Sequence, residues 1–543
     1  MKQLSFLLLL IFLTSNISYS QNVQFDDERF KQIVVNNYDS DFNEEISLDE
    51  ALLVDTLVFT YDTVQSVSGI GNFVNLTHLN CKGNLIEDLN LEQNQNLLYL
   101  NCRQNQIDSL SISSNSNLQF LDCSENLLMN LTLPTNSELI SLKAGANQIE
   151  DVDLSSLENL EVLDLRFNYL SDLNLQENEN LIELVCNYND LEELNLENNI
   201  QLENLEATYN SLSQISLELN QNLSYLDLSD NDFTSLDISQ NPSLIYVYCG
   251  GNDLSSLEIG NAPNLLELSC SHNELNSLDF SGASSINLIG CSGNNLTTLA
   301  VSNLTELEVL YCNYNDLESL SLSGNSSLAY VTASHNELES IDLSGTSSLV
   351  TLHLNYNKFV EFPNILESPV LNLLECRHNE FVTPTVVHNN LENLFMGYNP
   401  FLEVLDISET PTINNLQLNH MYEHPFTVCV WALPFPPENS DLILGLFLTE
   451  NATISDCVDS VNENISSEEM SLFPVPANES VNLECTEQII GKQFTIYDIL
   501  SQEKLQGRIT SKTSVLDVST LHPGIYFFKV KGVLLETVRF VVE

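Results

Sequence analysis

From about residue 60 onward, one pattern of apolar and polar positions returns every 21 residues. Asparagine stands at 84, 105, 126, 147, 168, 189, 210, 231, 252, 273, 294, 315, 336 and 357, and then, after steps of 22 and 20, at 379 and 399. Fourteen hits in strict register exclude chance. Around Asn105 the apolar positions are Leu97, Leu100, Cys102, Ile107, Leu110 and Ile112. Leu100 and Cys102 are two apart and point to one face of a short strand, so Tyr99, Asn101 and Arg103 point to the other. A single coil of this size cannot bury its apolar side, whereas stacked neighbours can, and the spacing therefore predicts a solenoid. Each Asn ends its strand, where the amide can pair with backbone groups of the following turn and build a buried ladder. Some sixteen parallel strands, about 4.8 Å apart, make an arc of roughly 75 Å. The outer side has room for turns and short extended segments but not for full helices.

The unit Leu97-x-x-Leu100-x-Cys102-x-x-Asn105-x-Ile107 matches L-x-x-L-x-L-x-x-N-x-L, and over roughly residues 60–420 the chain resembles the leucine-rich repeat family. The resemblance implies a curved horseshoe with a parallel β-sheet on its concave face. Residues 57–421 are read as this solenoid, about 16 repeats of 21 residues. Nine of the twelve cysteines lie three residues before the Asn: Cys81, Cys102, Cys123, Cys186, Cys249, Cys270, Cys291, Cys312 and Cys376. The same column holds Ala144, Leu165, Ala207, Leu228, Ala333, Leu354 and Met396, so cysteine acts there as a small core hydrophobe. A metal or redox ladder is the sharper alternative, but disulfides between in-register strands would be strained. Residues 422–457 form an irregular segment rich in Pro and aromatics, read as a C-terminal cap. In an oxidising compartment Cys429 and Cys457 could form a disulfide that clips it, which leaves Cys485 odd.

Residues 1–20 carry Lys2, an apolar run from Leu4 to Leu13, and small residues at Ser18 and Ser20, the pattern of a cleaved secretory signal. The run is half of what a spanning helix needs, so the mature chain is expected to have no transmembrane segment. Residues 21–56 read as a cap, with a helix over Asp26 to Asn37 that places Phe30, Ile33 and Val34 on one face. The segment from Asp39 to Glu50 that follows resembles a calcium-binding EF-hand loop. The resemblance implies Asp39, Asp41, Asn43, the Glu45 carbonyl, Ser47 and Glu50 as ligands of a structural calcium ion; no other cofactor is expected. Glu44 stands where that family has glycine to make a sharp turn, at a cost of about 1 kcal/mol.

After the repeats, residues 458–470 form a polar, acidic linker. Residues 471–543 carry β-type runs at hairpin spacing. The segments Leu472-Phe-Pro-Val-Pro476, Phe494-Thr-Ile-Tyr-Asp498 and Leu521-His-Pro-Gly-Ile-Tyr-Phe-Phe-Lys-Val530 resemble the C-terminal sorting domain of Bacteroidetes type IX secretion cargo. That resemblance implies a small β-sandwich read by the outer-membrane translocon, and a chain that is secreted or held at the outer cell surface. Val475 departs from the Asn common in the family's opening motif.

Composition narrows the function. Acidic residues number 76 against 16 basic, a formal net charge of −60, which repels nucleic acid and anionic lipid alike. No G-x-S-x-G, H-E-x-x-H or glycine-rich phosphate loop occurs, and nothing in the sequence marks one carboxylate of a pair as desolvated. His335, His353 and His378 fall on consecutive coils, and His335 and His378 lie about 10 Å apart, too far to share an ion. The expectation is a non-enzymatic recognition or adhesion protein that binds a protein, peptide or glycan; the alternative is a structural surface spacer without a ligand site.

Counted back from each Asn, positions −6, −4, −2 and −1 should face the concavity. Position −1 holds Tyr188, Tyr209, Tyr314 and Tyr356, besides Phe167, Tyr398, His272, His335 and His378. Positions −6 and −4 add Tyr225, Tyr246, Tyr248, Tyr311 and Tyr330, besides Tyr99 and Phe120. No Lys or Arg occurs between Arg166 and Lys358, so the middle of the groove is aromatic and acidic and suits a neutral sugar chain or a cationic peptide.

Overall fold

The computed structural model describes residues 21–135, 138–418 and 426–430 and, further on, 443–444, 452–455, 470–473, 480–485, 490, 493–498, 503–522, 524–530 and 538–542. The expected signal, most of the expected linker and Cys457 lie outside these residues. The chain divides into two compact units, the second formed by 427–437 and 453–543.

The first unit opens with a helix, Glu28–Tyr38, two residues later than expected because Asp27 caps it by accepting from the Arg29 and Phe30 amides. The other oxygen of Asp27 accepts from the Gln65 and Ser66 amides, which ties the cap to the first coil. Phe30 and Val34 are buried, Ile33 only half so, and the Phe30 ring packs 5.1 Å from that of Phe59.

The solenoid carries a 19-stranded parallel sheet running from Thr56–Val58 to Ile443–Leu444. Pairing is residue for residue: Tyr225, Leu226 and Asp227 lie beside Tyr246, Val247 and Tyr248, which lie beside Glu267, Leu268 and Ser269. The middle residue of each of these strands points inward and is fully buried, as the two-residue period requires. The sheet exceeds the sixteen Asn-marked coils at both ends. At the start, Asp62 occupies the Asn slot. At the far end, Asn415–Gln417 and Ile443–Leu444 pair without that Asn, so the sheet continues into the expected cap. The outer side carries turns, two 3-10 turns and short strand pairs such as Ser235–Asp237 with Ser256–Glu258.

Two polar ladders run through the stack. In the first, the amide oxygen of each strand-ending Asn accepts from a backbone N–H of the preceding coil, and its NH2 group donates to carbonyls of both coils. Asn231, for example, accepts from Leu212 at 3.0 Å and donates to the Ala207 and Leu228 carbonyls at 2.9 and 3.1 Å. The second ladder lies ten residues later; Asn325 belongs to that column but accepts through its oxygen from the Leu304 amide, and the other described members are Asn94, Asn115, Asn178, Asn199, Asn220 and Asn241, all at most 1% exposed. Each of these donates to two carbonyls of the coil before, but its own oxygen has no partner among the described residues. The nine cysteines of the apolar column are free and buried, and burial pushes their thiols up, that of Cys270 to about 12. Burial within an apolar column is the setting of a structural thiol, in keeping with their sharing that column with Ala and Leu.

The second unit contains two antiparallel sheets. Met470–Phe473, Ser480–Cys485 and Thr513–Asp517 form one. Glu503–Arg508, Gln493–Asp498, Gly524–Val530 and Val538–Val542 form the other. Val481, Leu483 and Leu516 from the first share a core with Phe494, Ile496 and Phe528 from the second. Cys429 is disulfide-bonded.

Candidate binding face

Position −1 is left-handed in all sixteen Asn-marked coils, with glycine in only three of them, Gly83, Gly251 and Gly293. A bulky side chain at such a backbone angle costs about 1 kcal/mol and persists only where its surroundings hold it. Here the ring faces hold one another. Phe167, Tyr188 and Tyr209 stack at 4.3 Å with planes 11° apart. Tyr314, His335, Tyr356, His378 and Tyr398 form a second stack at 4.0–4.2 Å and 11–13°. Within each stack the faces are spent on neighbouring rings, so Tyr188 and Tyr356 offer a ligand only their edges. Burial lowers the imidazole of His335.

Between the two stacks position −1 holds Asp230, Gly251, His272 and Gly293, an interruption of five coil steps or roughly 24 Å. Alongside it, on the strands, stand the remaining tyrosines. Tyr225 lies 6.2 Å from Tyr246 and 5.6 Å from Tyr248, with planes tilted by 51° and 54°. Tyr311 meets Tyr330 edge to face at 5.7 Å. The Tyr248 hydroxyl donates to Glu267 at 2.9 Å, and burial together with this bond pushes its ionisation far up.

The carboxylates differ along the arc. Towards the ends they meet cations: Arg103 with Glu125, Arg166 with Asp164, Lys358 with Glu337 and Arg377 with Glu375. In the middle their partners are neutral. Glu206 accepts from the Asn187 amide at 3.0 Å, and Asp227 from the Ser229 hydroxyl at 2.7 Å. Burial raises the carboxyl of Asp227, the Ser229 bonds oppose this, and Glu206 and Asp230 add repulsion. Sequence reasoning marked no desolvated carboxylate; Asp227 is one.

In the N-terminal cap, ligand atoms of Asp39, Asp41 and Glu50 come within 4.8 Å of one another. Ile46 is buried, and Glu44 takes the left-handed angle, φ 65°, that the glycine of the EF-hand family would take. The Asn43 side-chain oxygen accepts from the Glu45 amide. Glu50 also accepts from Ser40 and Ser47, the latter in a capping box. Burial would raise its carboxyl, but these bonds prevail and lower it to about 2.

Residues 471–543 match the family described as the secretion system C-terminal sorting domain. This places a type IX sorting domain at the C-terminus and makes the protein a secreted or cell-surface one. The functional domain of InlJ from Listeria monocytogenes, which includes a cysteine ladder, superposes with a TM-score of 0.62 at 20% identity, covering 96% of this chain and 100% of that one. An internalin of the same organism, InlF, gives 0.49 at 20% identity over 62% of this chain and 98% of its own. A leucine-rich repeat protein of Leptospira interrogans gives 0.49 at 23%, over 61% and 92%. The solenoid has the leucine-rich repeat fold. No curated protein sequence matches the chain. No helix among the described residues is long and apolar enough to cross a membrane.

Proposed function

We propose that this exported leucine-rich repeat solenoid is a non-enzymatic recognition protein that binds a protein, peptide or glycan on its concave face. The observation that carries the reading is the group of Tyr225, Tyr246 and Tyr248, which stand on adjacent strands in tilted rather than stacked geometry. Tyrosine supplies large contact area with a hydroxyl at its edge, at little entropic cost. The rim stacks, whose faces are consumed, favour the second reading, a spacer without a ligand site.

Calcium belongs to the same proposal as a structural ion. Asp39, Asp41 and Glu50 would hold it, with Asn43, Ser47 and the Glu45 carbonyl completing the oxygen set. It would fix the cap against the first coil and take no part in ligand chemistry.

Glycan and peptide arrays probed with the full chain, with and without calcium, test both statements. A Tyr225→Ala, Tyr246→Ala, Tyr248→Ala, Tyr311→Ala variant is expected to melt like the parent and lose its array ligands; unchanged binding would overturn the concave assignment. Calcium should raise the melting temperature of the parent but not of an Asp39→Ala, Glu50→Ala variant. An equal rise in both would mean that calcium only screens the net charge.

A further inference from the structure

The interrupted stretch of the concave face is charged in one sign only. Residues 167–357 contain no Lys or Arg. Four adjacent coils nevertheless bring Glu206, Asp227, Asp230 and Glu267 to the sheet and its rim, and each carboxylate is hydrogen-bonded by a neutral group, with Arg166, two coils before Glu206, adding a longer-range attraction to that one. Elsewhere along the arc the solenoid does place cations against its acids, so their absence here is local. The rim is low at the same place. Gly251 and Gly293, two of the four −1 positions between the ring stacks, carry no side chain, and a Cβ on Gly251 would meet the Asp230 carboxylate at 2.5 Å. The result is a break in the aromatic rim that leads to an acidic floor flanked by tyrosine.

We propose that this stretch, residues 204–293, is the docking surface for an extended cationic segment of a polypeptide. Its lysine or arginine side chains would enter between Tyr225, Tyr246 and Tyr248 and meet the carboxylates of Glu206, Asp227 and Glu267. Charge complementarity selects the occupant. A cation over tyrosine faces gains from the ring quadrupole, and a guanidinium or ammonium can replace the neutral donors now on the carboxylates. A neutral sugar would leave the mutual repulsion of the acids uncompensated, whereas a cationic segment removes it. The inference rests on the concave-face reading and narrows it to one class of ligand.

The test must separate this surface from the general attraction of an acidic protein for polycations. Short Gly-Ser peptides carrying several Arg, several Lys, several Glu or no charge are titrated into the full chain by calorimetry. Ionic strength is held near 0.15 M, where exposed charges beyond about 8 Å are screened. The Arg and Lys peptides are expected to bind and the others not. The shape-conserving Asp227→Asn, Glu267→Gln variant should weaken binding about tenfold or more. A Glu193→Gln, Glu197→Gln variant makes the same change in net charge at exposed positions off the sheet, and should alter it less than about twofold. Equal losses in the two variants, or no preference for the cationic peptides, would overturn the proposal. A neutral array ligand that is lost in the four-tyrosine variant would overturn it too, while leaving the concave-face reading intact.

Discussion

The two asparagine ladders share a residue type, a 21-residue period and near-complete burial, yet they are not equivalent. The strand-ending column is Asn in sixteen coils without exception, from Asn84 to Asn399. The column ten residues later changes to Leu157, Ala262, Ala283, Leu304 and Thr346. Hydrogen bonding explains the difference. Asn231 provides the partner of the buried Leu212 N–H, so its loss would orphan a donor. Asn241 donates to the Leu217 and Asn220 carbonyls, but each keeps a backbone donor of its own, from Asn220 and Leu223 respectively. An amide used at both ends is irreplaceable; one used at a single end can give way to a methyl group.

The largest expected effect follows from the first ladder. Asn231→Ala should destabilise the local coils by about 2–3 kcal/mol, through an orphaned N–H and two weakened carbonyls. Hydrogen exchange of the peptide containing Leu212 is the measurement, because a solenoid need not unfold in one step. Protection equal to the parent's would erase the distinction between the columns. Asn241→Ala should cost less than about 1 kcal/mol in the same assay, since it also removes a buried oxygen without a partner; a cost matching that of Asn231→Ala would show that both ladders bear equal weight. The smallest effect concerns Asp227, a half-buried carboxylate on the concave face that Ser229 answers without a charge. Its carboxyl is raised, so ionisation costs the folded state above that raised value and costs nothing below the ordinary aspartate range. Asp227→Asn is therefore expected to raise the unfolding midpoint modestly at pH 7, with the gain vanishing near pH 3. A gain independent of pH would assign it to something other than charge.

What could be read beforehand was whatever repeats without interruption. The first Asn column, the apolar positions and the cysteine column set the coil, its inward face and its stacking, and the solenoid follows from them. The second ladder carries the same period, but Ala262 and Ala283 break it, and a periodic search at the +10 position would have found it. The first coil lacks the marker, since Asp62 replaces it, yet it falls within the bounds of 57–421 read for the solenoid. The left-handed turn at position −1 was not legible, because Tyr, His and Phe are poor signals for such a turn and are held there only by rings on the neighbouring coils. The state of Asp227 was equally hidden, since its desolvation depends on residues of adjacent strands rather than on its own neighbours in sequence. The tyrosines of the groove were legible as a set, but which of them stack and which tilt was not.

Among the described residues the inner strands of the solenoid sheet pair with the coil before and the coil after, and those bonds run along the axis of the stack. Pulled at its two ends, such a body carries load in series and parts one rung at a time. A coil that occupies about 4.8 Å of the axis pays out some 70 Å of chain when it lets go. An architecture that displays one long sheet would therefore also extend under tension, yielding in small steps instead of failing at once.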